Sequence, residues 1–121
     1  MLTIIAIFIG GGLGSVSRFG LSKMITSNFQ DINPVATLTS NFISTIILGV
    51  VLFFSSEKLA LPNSIKAMLI IGFCGGFSTF STFSWETFEL IRTGNYWFAF
   101  ANLFVSIIMV IGILFVMARN L

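Results

Sequence analysis

A chain of 121 residues that is 56% apolar and 8% charged, with a mean hydropathy of +1.05, lies outside the range of soluble globular proteins and reads as an integral membrane protein. Its net charge of +2 sets six basic residues against four acidic ones, and the basic residues are scattered singly, which excludes a nucleic-acid-binding patch. Histidine is absent, removing the commonest general base and metal ligand, and Cys74, the one cysteine, excludes an intrachain disulfide and an all-cysteine metal cage within one subunit.

The N-terminal MLTIIAIFIGGG has no Lys or Arg before its apolar run and no A-x-A-like site after it, so it is expected to be a first span over about residues 2–24 rather than a cleaved signal peptide. Gly10 and Gly14 form a G-x-x-x-G pair, which suits either packing within the chain or a seam between subunits. Arg18, four residues on, is costly at membrane depth. It either snorkels to the interface along its apolar stem or supplies positive potential at the mouth of an anion pathway. The polar stretch TSNFQDINP ends the span, with Pro34 disfavouring helical geometry at Asn33.

Span two, about 35–54, reads VATLTSNFISTIILGVVLFF. Thr37, Asn41, Ser44 and Thr45 fall on one helical face, a polar stripe among apolar ones. A hydroxyl at such a position is commonly glue between helices or bonded to its own backbone. The amide of Asn41 is harder to dismiss, because unpaired donors in hydrocarbon cost several kcal/mol.

SSEKLALPNS follows, with Pro62 suited to opening a helix. Span three, about 64–92, exceeds the roughly 20 residues that cross a bilayer. Its stretch GFCGGFSTFSTFSWE places Gly72, Gly75 and Gly76 near the centre, so a break is expected there, with released carbonyls suited to a hard cation. Phe80 and Phe83 are expected to project side by side, interleaved with hydroxyls, and Thr79, Thr82 and Glu86 to form an adjacent polar line. An aromatic ring has a positive edge that faces an anion without the deep trap of a buried cation. Gly94, in the turn TGN, terminates the helix, and span four, about 95–119, opens with Tyr96 and Trp97 as interfacial anchors and carries Asn102 and Ser106 four apart. Together the residues form a single four-span transmembrane domain, all-α, over 1–121.

With an even number of spans, Lys58, Lys66 and Arg119 share one side of the membrane and Arg18, Lys23 and Arg92 the other. Three against three gives no preferred orientation. Small loops make noisy counts. The sharper reading is insertion in both orientations and pairing into an antiparallel, dual-topology homodimer with its twofold axis in the membrane plane.

The third-span stretch GFCGGFSTFSTFSWE, together with GGGLGSVSRF in span one and TLTSNF in span two, resembles the CrcB/Fluc family of small fluoride channels. The resemblance covers essentially the whole chain. It implies an antiparallel homodimer with two pores and a structural sodium ion at the centre of the interface, passing fluoride out of a bacterial cell across its inner membrane. By motif position it implies Asn41 as a pore-lining donor, Phe80 and Phe83 as rings along the fluoride path, and backbone carbonyls of Gly75 and Ser78 as sodium ligands. Thr79, Ser81, Thr82, Glu86 and Ser106 follow as polar pore lining, and Arg18 matches the arginine after the first glycine-rich segment. Ser78, Ser44 and Phe19 stand where the family commonly has threonine, glycine and tyrosine. No enzyme chemistry is implied. Two rivals remain: a proton-coupled small multidrug-type transporter, whose first-span glutamate this chain lacks, and a purely structural membrane subunit.

Overall fold

The computed structural model describes residues 1–25, 34–54 and 60–120. Asn33, Asp31, Glu57 and Lys58 lie outside the described residues. What is described is almost entirely helical: α1 (Leu2–Ile25), α2 (Pro34–Phe54), α3 (Asn63–Ala67), a π-helical segment (Met68–Cys74), α4 (Gly75–Phe77), α5 (Ser81–Arg92) and α6 (Tyr96–Asn120). α3 to α5 together make the third of four stretches long and apolar enough to cross a membrane, Asn63–Arg92.

Local chemistry sets several of these limits. Pro34 occupies the first position of α2, where its missing N–H costs nothing. Pro62 is extended (φ −58°, ψ 150°) immediately before α3, and its carbonyl accepts the amide of Lys66 at 3.0 Å. Gly94 has φ +85°, the left-handed conformation that glycine adopts without a Cβ penalty. It ends α5 with the amide of Asn95 closing onto the carbonyl of Leu90 at 2.8 Å. In the last turn of α5, Arg92 Nε and a terminal nitrogen grip both oxygens of Glu89 at 2.7 and 2.5 Å.

The packing is built on glycine. α1 lies against the π segment, α3 and α4, while α2 and α5 share α6. Gly10 and Gly14 on α1 face the carbonyls of Met68 and Phe73, and a Cβ at either would overlap them. The fit is reciprocal, since a Cβ at Gly72 would come within 2.7 Å of the Ile7 carbonyl and one at Gly76 within 2.5 Å of that of Gly11. Two G-x-x-x-G pairs therefore interlock inside one chain, and the question left open for Gly10 and Gly14 is answered by close backbone packing of span one on span three. Large apolar side chains point the other way: Phe8, Trp97 and Phe115 are among many exposed on the outside, where acyl chains solvate them.

The third span breaks, but not at its glycines. Gly75 is helical (φ −65°, ψ −37°) and Gly76 lies inside α4. The chain leaves helical geometry at Ser78 (φ −86°, ψ 157°) and re-enters it at Ser81. The expected position was three residues early because Gly76 serves the contact with α1 instead of the turn.

Candidate functional site

The break is held from both neighbouring helices. On α2, Ser44 donates its hydroxyl to the Cys74 carbonyl at 3.1 Å, and Cys74 Sγ returns a weak bond to the Ser44 carbonyl at 3.6 Å. Ser78 adds both its hydroxyl, at 2.6 Å, and its amide, at 3.0 Å, to the same Cys74 oxygen. One turn N-terminal on α2, Asn41 Oδ1 accepts the backbone N–H of Thr79 at 3.1 Å. From α1, Arg18 Nε donates to the Gly76 carbonyl at 3.2 Å. The amides of Thr79 and Thr82, which in an unbroken helix would close onto the carbonyls of Gly75 and Ser78, go instead to Asn41 Oδ1 and the Thr79 hydroxyl, and Arg18 takes the carbonyl of Gly76. The resumption of helix at α5 is marked by the Thr79 hydroxyl, which accepts the amide of Thr82 at 3.1 Å.

Beside the break lies a groove of about 950 Å³ between α2, the π segment, α4, α5 and α6, lined by Asn41, Gly75, Ser78, Thr79, Phe80, Phe83 and Ser106, with Ser44 and Cys74 and apolar residues such as Ile91, Ile107 and Ile111. Seven of the sequence-predicted site residues thus meet on one surface. The rings of Phe80 and Phe83 stand 6.0 Å apart and tilted by 39°. Their surroundings differ, since Phe80 is 80% exposed and Phe83 only 9%. Phe80 immediately precedes α5 but is itself helical (φ −91°, ψ −36°) and accepts the amide of Ser84 at 2.8 Å, so the two rings project side by side from the start of that helix.

Arg18, Ser81, Thr82 and Glu86 do not line this groove. Arg18 is half-buried against span three. Ser81 is exposed, with its hydroxyl 3.4 Å from that of Thr79. Glu86 is buried and accepts the hydroxyl of Thr37, while its Oε2 and the hydroxyl of Ser106 are buried without a hydrogen-bond partner. Thr87 links α5 to α6 through the amide of Asn102, at 3.0 Å.

Sequence reasoning missed the Ser44–Cys74 clasp, using Cys74 only to exclude a disulfide and an all-cysteine metal cage. The only signal was that Ser44 belongs to the polar stripe of α2 and Cys74 to the glycine-rich stretch. Ser40, fully buried, shares the stripe's face at i+3 from Thr37 but was left out of it; its hydroxyl bonds its own helix through the Thr37 carbonyl at 2.9 Å.

Four spans, the third interrupted, and a groove carrying amide, hydroxyl and aromatic groups at the interruption define a small multi-pass membrane protein organised around a helix break. Residues 5–118 match the family described as CrcB-like protein, Camphor Resistance (CrcB). The chain is 40% identical over 116 residues to the Fluoride-specific ion channel FluC of Pyrococcus abyssi, covering 93% of this chain and 90% of that protein. It is 40% identical over 105 residues to that of Escherichia coli, covering 87% and 82%, and 36% identical over 107 residues to that of Gloeothece citriformis, covering 88% and 86%. This chain belongs to the CrcB family.

Proposed function

We propose that the chain is the subunit of a fluoride-selective channel that lets fluoride leave the cell passively across the bacterial inner membrane, with no enzymatic step. The observation that carries this reading is the state of Asn41. A backbone N–H only donates, so the bond from Thr79 fixes Oδ1 toward the break and leaves the two N–H groups of Nδ2 as the amide's remaining donors at the groove. Fluoride is a small, strongly hydrated acceptor, and a pathway must replace its water with N–H and O–H donors while holding it weakly enough to release it. Asn41 Nδ2 and the orphaned hydroxyl of Ser106 are such donors on one wall, and the edges of Phe80 and Phe83 add mild positive potential beside them. Thr79 contributes at the same wall, Ser81 and Thr82 add hydroxyls at the start of α5, and Glu86 adds a buried acceptor one turn further on, bonded to Thr37. Arg18 adds positive charge while bracing Gly76.

The assembly in this reading is an antiparallel homodimer of dual topology, with two pores. The even split of Lys and Arg supports it, as does a groove whose apolar side, including Ile107 and Ile111, is exposed on the single chain. A structural sodium ion would suit the break by its donor chemistry: the carbonyls of Gly75 and Ser78 lack their usual helical donors, because the amides of Thr79 and Thr82 turn to Asn41 Oδ1 and the Thr79 hydroxyl. Such an ion, shared between copies, would supply fixed positive charge at their contact.

Planar-bilayer recording of the purified protein under opposed fluoride and chloride gradients tests the proposal. The reversal potential is expected to track fluoride. A reversal potential set by chloride, or no current from correctly folded protein, removes it.

A further inference from the structure

Ser44 and Cys74 also line the groove, but the Ser44 hydroxyl is spent on the Cys74 carbonyl, so the clasp sets what the groove's floor presents. The Cys74 carbonyl receives three donors, the Ser44 hydroxyl at 3.1 Å, the Ser78 hydroxyl at 2.6 Å and the Ser78 amide at 3.0 Å. An oxygen with two lone pairs is saturated by them and has nothing left for a cation. One residue further, the amide that would pair the Gly75 carbonyl in a helix, that of Thr79, goes to Asn41 Oδ1 instead. Ser44 is the only one of these donors that comes from another helix, and it is 3% exposed. Its own carbonyl is tied back by Cys74 Sγ, so the contact has two points and fixes rotation as well as distance.

We infer that Ser44 is a positioning residue for the cation at the break: by anchoring the Cys74 carbonyl to α2 it sets the plane of the next peptide unit and hence the direction in which Gly75 and Ser78 offer their oxygens. The inference rests on the reading of those two carbonyls as sodium ligands. Without the Ser44 hydroxyl, Ser78 alone holds the Cys74 oxygen, and only the weak Cys74 Sγ bond to the Ser44 carbonyl and the Asn41–Thr79 bond still tie the turn to α2.

The test is fluoride efflux from liposomes as sodium is replaced stepwise by N-methylglucamine, for the wild type, Ser44→Ala and Ser44→Thr, with thermal unfolding at each sodium concentration. Ser44→Ala is expected to raise the sodium concentration for half-maximal flux by roughly three- to tenfold, the worth of one hydrogen bond, while flux at saturating sodium is kept. Ser44→Thr, which retains the hydroxyl, returns the dependence toward that of the wild type. Ser44→Gly, which removes the hydroxyl without adding bulk, is measured in parallel and gives the same shift as Ser44→Ala. Uniformly lower unfolding temperatures with an unchanged half-maximal sodium concentration indicate packing alone and overturn the assignment. A wild type indifferent to sodium overturns the assignment together with the sodium reading, and the wild-type trace alone distinguishes that outcome.

Discussion

The backbone amide of Thr79 donates to Oδ1 of Asn41 at 3.1 Å, joining the middle of α2 to the interrupted third span across 38 residues of sequence. The bond does two things at once. It satisfies an amide that the break releases from helical pairing, and it orients a side-chain amide so that its donors face the groove.

Asn41→Asp replaces those donors with oxygen acceptors. A charge-assisted hydrogen bond to an anion contributes about 1.5–3 kcal/mol, so fluoride flux is expected to fall at least about tenfold in a variant that still elutes and unfolds like the wild type. Fluoride efflux measured beside gel filtration checks this, and wild-type flux from the folded variant takes Asn41 out of the pathway.

The two phenylalanines separate by their burial. Phe83, 9% exposed, is expected to cost about 3 kcal/mol or more when truncated to alanine, visible as a lowered unfolding temperature. Phe80→Ala, at a position 80% exposed on the single chain, is expected to leave the fold of the chain intact and to lower fluoride flux. Equal thermal losses from the two substitutions contradict the placement of Phe80.

Gly14→Ala drives a Cβ into the Phe73 carbonyl, whereas at Gly12 a Cβ meets nothing within 4 Å. Backbone cannot yield as a flexible side chain does, so Gly14→Ala is expected to destabilise by about 1–3 kcal/mol and Gly12→Ala to be neutral or slightly stabilising, as alanine is in a helix. Thermal unfolding in detergent distinguishes them.

Much of this architecture was legible in the sequence, because spans are set by composition and α2's stripe by helical periodicity. Gly94 and Pro62 act as local chemistry dictates. The break was misplaced since Gly75 and Gly76 look like hinge residues in one dimension, while in three dimensions the backbone of α1 packs against Gly76. The turn falls at Ser78 to Phe80, beside the Thr79 amide that Asn41 accepts, a partner 38 residues away that no local pattern reveals. The same holds for Arg18, whose contact with the Gly76 carbonyl spans 58 residues, and for the Ser44–Cys74 clasp. Glu86 was read as one of a polar line, yet its carboxylate turns to Thr37 on α2.

That contact gives a further expectation. Thr37→Val leaves a second buried oxygen of Glu86 without its donor and is expected to destabilise by about 1–3 kcal/mol. Glu86→Gln, which keeps an acceptor for Thr37, is expected to cost less. The reverse order in thermal unfolding contradicts the pairing.

The central claim is selective passage of fluoride, and it is tested most directly by liposomes loaded with fluoride and chloride together, with both ions followed by electrodes after the protein is reconstituted. Rapid loss of fluoride with chloride retained, abolished in Asn41→Asp, is the predicted result. Parallel loss of both ions, or retention of both, would contradict it.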